Sequence, residues 1–287
     1  MSQAAKNDVA PQKLDIRPIA GALGAEISGV DLSHSMSDAT VEDIRQALLD
    51  HLVIFFRDQD ITPDQNLAFA KRFGETVDYP LIKGLEGHPE IIAVVKLEHE
   101  KLNFGGLWHT DMAYAEEPPL GTILLARELP VYGGDTIFAN MYLAYETLSD
   151  AMKKLLEPLK AVNKSNLPTA VSTRKARIDD SAKANPESVL TATHPVVRTH
   201  PETGRQLLYV NGAHTLHFEG MSEEESAPLL GYLFKHQTRP EFTCRFRWQP
   251  GSIAFWDNRC TQHNPVNDYH GQKRIMHRIT LAGDRPQ

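Results

Sequence analysis

The feature that most constrains the fold is a series of short strand-like segments that recurs along almost the whole chain without an internal repeat. The segments are rich in β-branched and aromatic residues and are bounded by Gly and Pro, as strands commonly are. They are predicted at residues 14–32 (a hairpin), 52–56, 91–97, 121–127, 137–138, 194–211 (a hairpin), 243–248, 253–256 and 273–281. This distribution predicts a mainly β fold with added helices and a jelly-roll core.

Four helical segments are predicted between these strands. Ser37 can cap the first, and Thr62, Pro63 and Gln65 form a capping-box start for the second. Residues 142–159 are predicted to form one helix. Another is predicted within 222–236, where Pro228 requires that the helix begin near Ser226 or bend.

The domain organisation is predicted from the segments that lack such patterns. Residues 1–12 are polar and predicted to be a disordered leader, which leaves 13–287 as a single domain. Residues 76–106 hold few regular elements and run into a candidate metal motif, so they are either a substrate lid or an ordinary surface connection. The polar segment 163–188 is predicted to be a mobile loop.

Composition excludes several classes of partner. The chain has 287 residues and a formal net charge of −7, so it lacks the basic surface that nucleic-acid binding requires. No apolar run approaches the length of a membrane span, and none resembles a signal sequence. Cys244 and Cys260 are the only cysteines, which favours a reducing, cytoplasmic location.

The stretch Leu107–Asp111 carries the candidate metal ligands. His109 and Asp111 are two residues apart, so at a strand end their side chains would lie on the same side. His263 is the best candidate for a third, distant ligand. Two histidines and one carboxylate leave one face of an ion open, which suits a non-haem Fe(II) oxygenase. Considered singly, Asp111 could equally be a solvated or capping carboxylate, and His263 could be a structural histidine.

The last predicted strand favours the metal-ligand interpretation of Asp111 and His263. Residues 274, 276, 278 and 280 share one face, which carries Arg274 and Arg278. The two arginines either face water or line the inner wall of a barrel. Buried guanidinium groups need anions, and an Fe(II) oxygenase needs a co-substrate such as a 2-oxoacid, whose distal carboxylate an arginine would hold.

Ordered motifs along nearly the whole chain give a family resemblance. The motifs are Gly24-Ala25-Glu26-Ile27, Trp108-His109-Thr110-Asp111, Gly133-Gly134-Asp135-Thr136, His194 to Pro201, Trp256-Asp257-Asn258-Arg259 and Arg274 to Arg278. With them the chain resembles the Fe(II)/2-oxoglutarate dioxygenases of the taurine and chlorophenoxyacetate dioxygenase family. The resemblance implies a double-stranded β-helix of the cupin type.

The resemblance also assigns roles to individual residues. It implies that His109, Asp111 and His263 are iron ligands. Thr136 and Arg274 match positions that hold the distal carboxylate of 2-oxoglutarate, and Arg278 matches a position that holds the substrate sulfonate in the taurine enzyme.

Two departures from the taurine enzyme argue against taurine as the substrate. Tyr79 stands where that enzyme has a sulfonate-binding histidine, and Gly105 stands where it has a substrate-contacting asparagine. Together with Phe104, Tyr79 would make a more aromatic pocket. We therefore expect a larger or more aromatic anion, such as an aryloxyalkanoate or another organosulfonate.

The expected function is hydroxylation of a small anionic organic substrate with Fe(II), 2-oxoglutarate and O₂, giving succinate and CO₂. Where the hydroxylated carbon bears a sulfonate or an aryl ether, the C–S or C–O bond would then break. Relatives often form dimers or tetramers, so a homo-oligomer is expected. The rival functions are a metal-dependent jelly-roll lyase or isomerase without redox chemistry, and a binding module without chemistry.

Overall fold

The computed structural model describes residues 12–80, 82–173 and 189–287. Its helices are α1 (Asp38–His51), α2 (Pro63–Ala70), α3 (Met141–Glu146), α4 (Asp150–Leu156), α5 (Pro168–Ser172) and α6 (Glu223–Gln237). Its strands are β1 (Asp15–Pro18), β2 (Ala25–Ser28), β3 (Val53–Phe56), β4 (Thr76–Val77), β5 (Ile91–Lys96), β6 (Gly121–Glu128), β7 (Thr136–Asn140), β8 (Lys160–Lys164), β9 (Thr191–Pro195), β10 (Val197–Thr199), β11 (Gln206–Leu208), β12 (Thr215–Phe218), β13 (Thr243–Phe246), β14 (Ile253–Asp257), β15 (Thr261–Pro265) and β16 (Arg274–Leu281).

Two facing sheets form the core of the molecule. The larger has the strand order β1-β2-β3-β14-β6-β16-β4, with β5 also paired to β16. The smaller has the order β13-β7-β15. Phe55 of the larger sheet stacks on Phe246 of the smaller, with ring centroids 3.9 Å apart. The predicted β-rich jelly roll is confirmed.

Strand β3 carries apolar residues on both of its faces, because both faces of the larger sheet are covered there. Val53 and Phe55 belong to the cluster between the two sheets, whereas Ile54 and Phe56 belong to a second cluster on the outer face. Helices α1 and α2 cover that outer face with residues such as Ile44 and Phe69. Because alternate strand residues point to opposite faces, a strand covered on both sides reads as an unbroken apolar run.

Helix ends follow their caps closely. The Thr62–Gln65 capping box of α2 forms as predicted, and Ser37 caps α1. The prediction of one helix over 142–159 is wrong, because Ser149 caps a second helix and divides the segment into α3 and α4. Helix α6 begins at Glu223, before Ser226, because Ser222 and Glu225 form a capping box there and the helix continues through Pro228.

The segments predicted to be irregular have more structure than expected. Residues 76–106 contain the strand predicted at 91–97, as β5, together with the short β4 that was not predicted, and their role as a lid stays a prediction. The predicted mobile loop at 163–188 includes the end of β8 and helix α5, and its residues 174–188 lie outside the described part of the chain. Of the predicted leader, residues 1–11 also lie outside it, so the division into leader and domain stays a prediction. In the described ranges, no helix combines the length and apolar character needed to cross a bilayer.

Candidate metal centre and adjoining pockets

A two-residue β-bridge brings the distant histidines together. The backbone N–H of His109 donates to the carbonyl of His263 at 3.1 Å, and that of His263 donates to the carbonyl of His109 at 2.9 Å. Strand β15 therefore places His263 directly opposite the Leu107–Asp111 stretch. No local sequence signal could specify this pairing, because the two segments meet only through the closure of the jelly roll.

Asn258 fixes the backbone of Asp111 at the same end of the sheet. Its side-chain oxygen accepts the Asp111 N–H at 2.8 Å, and its amide nitrogen donates to the carbonyls of Asp111 at 3.0 Å and Pro119 at 3.1 Å. Asn258 is fully buried, so these bonds are not exchanged with water. The residue lies in the Trp256–Arg259 motif, but the sequence did not indicate this role.

The three predicted ligands converge. The Nε2 atoms of His109 and His263 lie 3.4 Å and 3.9 Å from Oδ1 of Asp111. The candidate ligand atoms all lie within 4.8 Å of one another, and the residues are at most 9% exposed. The other carboxylate oxygen, Oδ2, accepts a hydrogen bond from the Thr122 hydroxyl at 2.9 Å and lies 3.0 Å from Nη2 of Arg278. Oδ1 is thus left facing the two imidazoles.

The protonation states of these groups suit a cation. Burial alone would raise the pKa of the Asp111 carboxyl, but Arg278 and the two histidines outweigh it and hold that pKa well below its usual range. Burial and the neighbouring His109 lower the pKa of His263 well below its ordinary value, so its imidazole is neutral. Metal ligation requires this combination of an ionised carboxylate and neutral imidazole.

The hydrogen bonding of His109 provides a direct test of fit. Its Nδ1 lies 2.7 Å from the carbonyl oxygen of Leu107, which can only accept, so Nδ1 carries the proton. In the neutral imidazole that metal ligation requires, the lone pair of Nε2 then faces the carboxylate oxygen of Asp111, and two acceptors oppose each other at 3.4 Å. A cation between them would satisfy both. A backbone carbonyl that orients the second ring nitrogen is also typical of histidine ligands.

A pocket beside this cluster contains the first of the two buried arginines. It is lined by Thr136, Arg274, His263 and Trp256, among others. Arg274 is 5% exposed, and its Nε and Nη2 atoms have no hydrogen-bond partner among the described residues. Burial lowers the pKa of this guanidinium. An unpaired buried guanidinium is costly, so the pocket is electrostatically suited to an anion.

A second pocket shares His109, Arg278 and Phe104 with the first and is also lined by Tyr79. The Arg278 guanidinium lies 5.2 Å from the centre of the Tyr79 ring, and the rings of Tyr79 and Phe104 are 6.3 Å apart. The structure thus brings both predicted aromatic residues to the pocket wall. It also adds a contact that the sequence did not indicate, because Arg278 lies against the Asp111 carboxylate as well.

Gly105 lies between the two pockets and lines both. Its backbone has φ +67°, and a Cβ atom there would stand 3.1 Å from Cε1 and 3.3 Å from Nε2 of His109. A side chain would therefore crowd the edge of the imidazole that faces Asp111. Glycine meets both the conformational and the steric requirement.

A second group of potential ligands, His200, Asp257 and Cys260, is already satisfied by protein partners. His200 lies 3.0 Å from an Asp257 oxygen, and Arg259 donates to both oxygens of that carboxylate at 2.9 Å and 2.6 Å. Glu202 pairs with Arg259 at 2.6 Å. A guanidinium occupies the position that a cation would take, so we assign this network a structural role.

Comparison with known proteins identifies the family of this chain. The family model described as "Taurine catabolism dioxygenase TauD, TfdA family" matches residues 15–280. The chain is 40% identical over 280 residues to an alpha-ketoglutarate-dependent sulfate ester dioxygenase of Pseudomonas putida, covering 96% of this chain and 91% of the relative.

Two solved structures have the same fold. A taurine dioxygenase from Burkholderia xenovorans superposes with a TM-score of 0.80 at 38% identity, covering 95% of this chain and 90% of that one. The protein AAD-2, solved in complex with Mn(II) and N-oxalylglycine, gives 0.81 at 28% identity, covering 95% and 99%. From the family match and these likenesses, the chain belongs to the TauD, TfdA family of dioxygenases.

Proposed function

We propose that this protein is an Fe(II)- and 2-oxoglutarate-dependent dioxygenase that hydroxylates a small anionic organic substrate, with succinate and CO₂ as co-products. One observation carries the proposal: two imidazoles and one carboxylate converge beside a buried guanidinium that has unpaired donors. The first feature suits ferrous iron, and the second suits the distal carboxylate of a 2-oxoacid.

In this proposal His109, Asp111 and His263 hold the iron, which would supply the oxidising chemistry together with O₂ and the oxoacid. The protein's contribution is to hold the groups in place. The His109–His263 bridge fixes the two imidazoles, and Asn258 and Thr122 fix Asp111. The relative solved with Mn(II) supports a divalent metal in this fold.

The co-substrate would bind in the pocket that contains Arg274 and Thr136. Arg274 would pair with the distal carboxylate, and the Thr136 hydroxyl would donate to it. This assignment is supported by the burial of both residues, at 5% and 3% exposed, and by the unpaired donors of Arg274.

The primary substrate would bind on the Arg278 side, with its anionic group at the guanidinium and its carbon skeleton against Tyr79 and Phe104. Among the described residues that line this pocket, Asp111 is the sole carboxylate, and it is committed to Arg278 and the candidate metal. Among these described residues, no carboxylate is left to pair with the ammonium group of taurine. Sulfate esters, organosulfonates and aryloxy or alkyl carboxylates fit better, and the sulfate ester relative supports the first class.

The rival proposal is a metal-dependent lyase or isomerase that uses the same ligands without redox chemistry. The unpaired Arg274 supports the oxygenase, because such a rival has no need of a separate site for a dicarboxylate. We further propose a cytoplasmic location, which the two free cysteine thiols favour, and a homo-oligomeric state.

The test is a panel of alkyl sulfates, sulfonates including taurine, and aryloxy acids, assayed for O₂ uptake and succinate release. We expect at least one non-taurine anion to be turned over faster than taurine, and His109→Ala to abolish substrate-dependent succinate formation. The exposed His34 provides the matched control, since His34→Ala should retain wild-type activity. Equal turnover with and without O₂ would overturn the oxygenase in favour of the lyase.

A further inference from the structure

We propose that Trp248 is a positioning residue for the co-substrate, because it directs the Thr136 hydroxyl proton toward the bound carboxylate. This role rests on the proposed function and assigns a residue that neither the sequence motifs nor the metal cluster points to. The indole Nε1–H of Trp248 donates to Oγ1 of Thr136 at 3.0 Å, and both residues are buried.

The direction of this hydrogen bond determines what Thr136 can do. An indole N–H can only donate, so Thr136 accepts from Trp248 and its own proton must be used elsewhere. Among the residues that the structure describes, no acceptor receives that proton. The two guanidinium groups that line the same pocket, those of Arg274 and Arg278, cannot accept it either. The hydroxyl proton is therefore available to an anion that enters the pocket.

Trp248 also borders the arginine of the same pocket. The guanidinium carbon of Arg274 lies 5.6 Å from the centre of the Trp248 ring, and the ring packs edge-on against Phe246 at 5.0 Å. Strand β13 carries Phe246 opposite Thr136, at the start of β7. The indole is thus fixed by packing on one side and aligned with Thr136 on the other.

The Thr136 hydroxyl and the unpaired Nε and Nη2 of Arg274 are thus donors in one pocket that are available to the same anion. Without the indole N–H, the hydroxyl could rotate, and its oxygen could turn toward the carboxylate as a repelling acceptor. The bond therefore acts on 2-oxoglutarate through its second carboxylate. A 2-oxoacid without that group should not depend on Trp248.

The experiment measures dissociation constants of 2-oxoglutarate and 2-oxopentanoate by calorimetry on Mn(II)-loaded protein without O₂. Trp248→Phe should weaken 2-oxoglutarate about tenfold, as for the loss of one hydrogen bond, and leave 2-oxopentanoate within about twofold. Thr136→Val should do the same, and the double variant should be no weaker than Thr136→Val alone. Thr136→Ser, which keeps the hydroxyl, should restore binding.

Equal weakening of both oxoacids, or additive effects in the double variant, would overturn the role and indicate a purely structural tryptophan. Wild-type protein that binds both oxoacids equally would instead overturn the proposed function, and this role with it. A second measurement does not depend on the folding of Trp248→Phe. The indole N–H resonance of Trp248 should shift when 2-oxoglutarate binds to the wild type and should not shift with 2-oxopentanoate; equal shifts would refute the proposal.

Discussion

Thr122 provides the sharpest test of how the protein orients its candidate metal ligand. Its hydroxyl donates to Oδ2 of Asp111 at 2.9 Å, and both residues are at most 2% exposed. Thr122→Val removes this bond and nearly preserves the shape of the side chain. Arg278 still lies 3.0 Å from Oδ2, so the carboxylate should remain ionised but be less firmly oriented.

The magnitude follows from the charge on the acceptor. A buried hydrogen bond to a charged group contributes about 1.5–3 kcal/mol, and about 1.4 kcal/mol corresponds to a tenfold change in an equilibrium constant. Because Arg278 continues to hold Oδ2, we expect the lower part of that range. Metal affinity should fall about tenfold, which agrees with the effect of removing outer partners of metal ligands.

The assay is a titration of chelator-stripped protein with Mn(II) or, without O₂, with Fe(II). Thr280→Val is the matched control, because Thr280 lies opposite Thr122 across β6 and β16, is also buried and, among the described residues, makes no hydrogen bond to Asp111. The control should keep wild-type affinity within about twofold. Equal metal affinity in the two variants would refute the view that Thr122 orients the ligand.

Two further predictions follow from Gly105 and from the buried histidines. Gly105→Ala should lower the free energy of unfolding of the metal-free protein by about 1–2 kcal/mol and should also lower the metal affinity. Gly87→Ala is the control, because Gly87 has φ +78° and a Cβ there would meet no atom within 4 Å, so it should lower stability alone. Equal metal affinities in these two variants would contradict the steric argument. Burial lowers the pKa of His194 and His277 below the ordinary 6.5, so below about pH 6.5 the unfolded chain takes up protons that the folded chain does not. The free energy of unfolding of the metal-free protein should therefore fall from pH 7 to pH 5, by up to about 1.4 kcal/mol per pH unit for each histidine. Urea denaturation at a series of pH values measures this change. A free energy of unfolding that stays constant or rises as the pH falls would show that these residues protonate equally in both states.

Much of the fold could be predicted from local chemistry. The Thr62–Gln65 capping box gave the start of α2, and the alternation of Arg274, Met276 and Arg278 indicated one common face of β16. The prediction failed over 142–159, where an apolar stripe indicated one helix and the cap at Ser149 began a second. A serine side chain that hydrogen-bonds to the backbone can end one helix and begin another, and the spacing of apolar residues does not reveal this.

The sequence determined the ligand types, the two arginines and, through ordered motifs, the family. Only the tertiary structure decided that Arg274 is buried with unpaired donors and that Arg278 lies against Asp111. It also decided that Thr122 and Asn258 hydrogen-bond to Asp111 and that Trp248 hydrogen-bonds to Thr136. The physical reason is that side-chain chemistry and strand period are local properties of the chain. The hydrogen-bond partners of these side chains depend on how the two sheets bring together segments that are far apart in sequence. No local sequence pattern specifies those pairings.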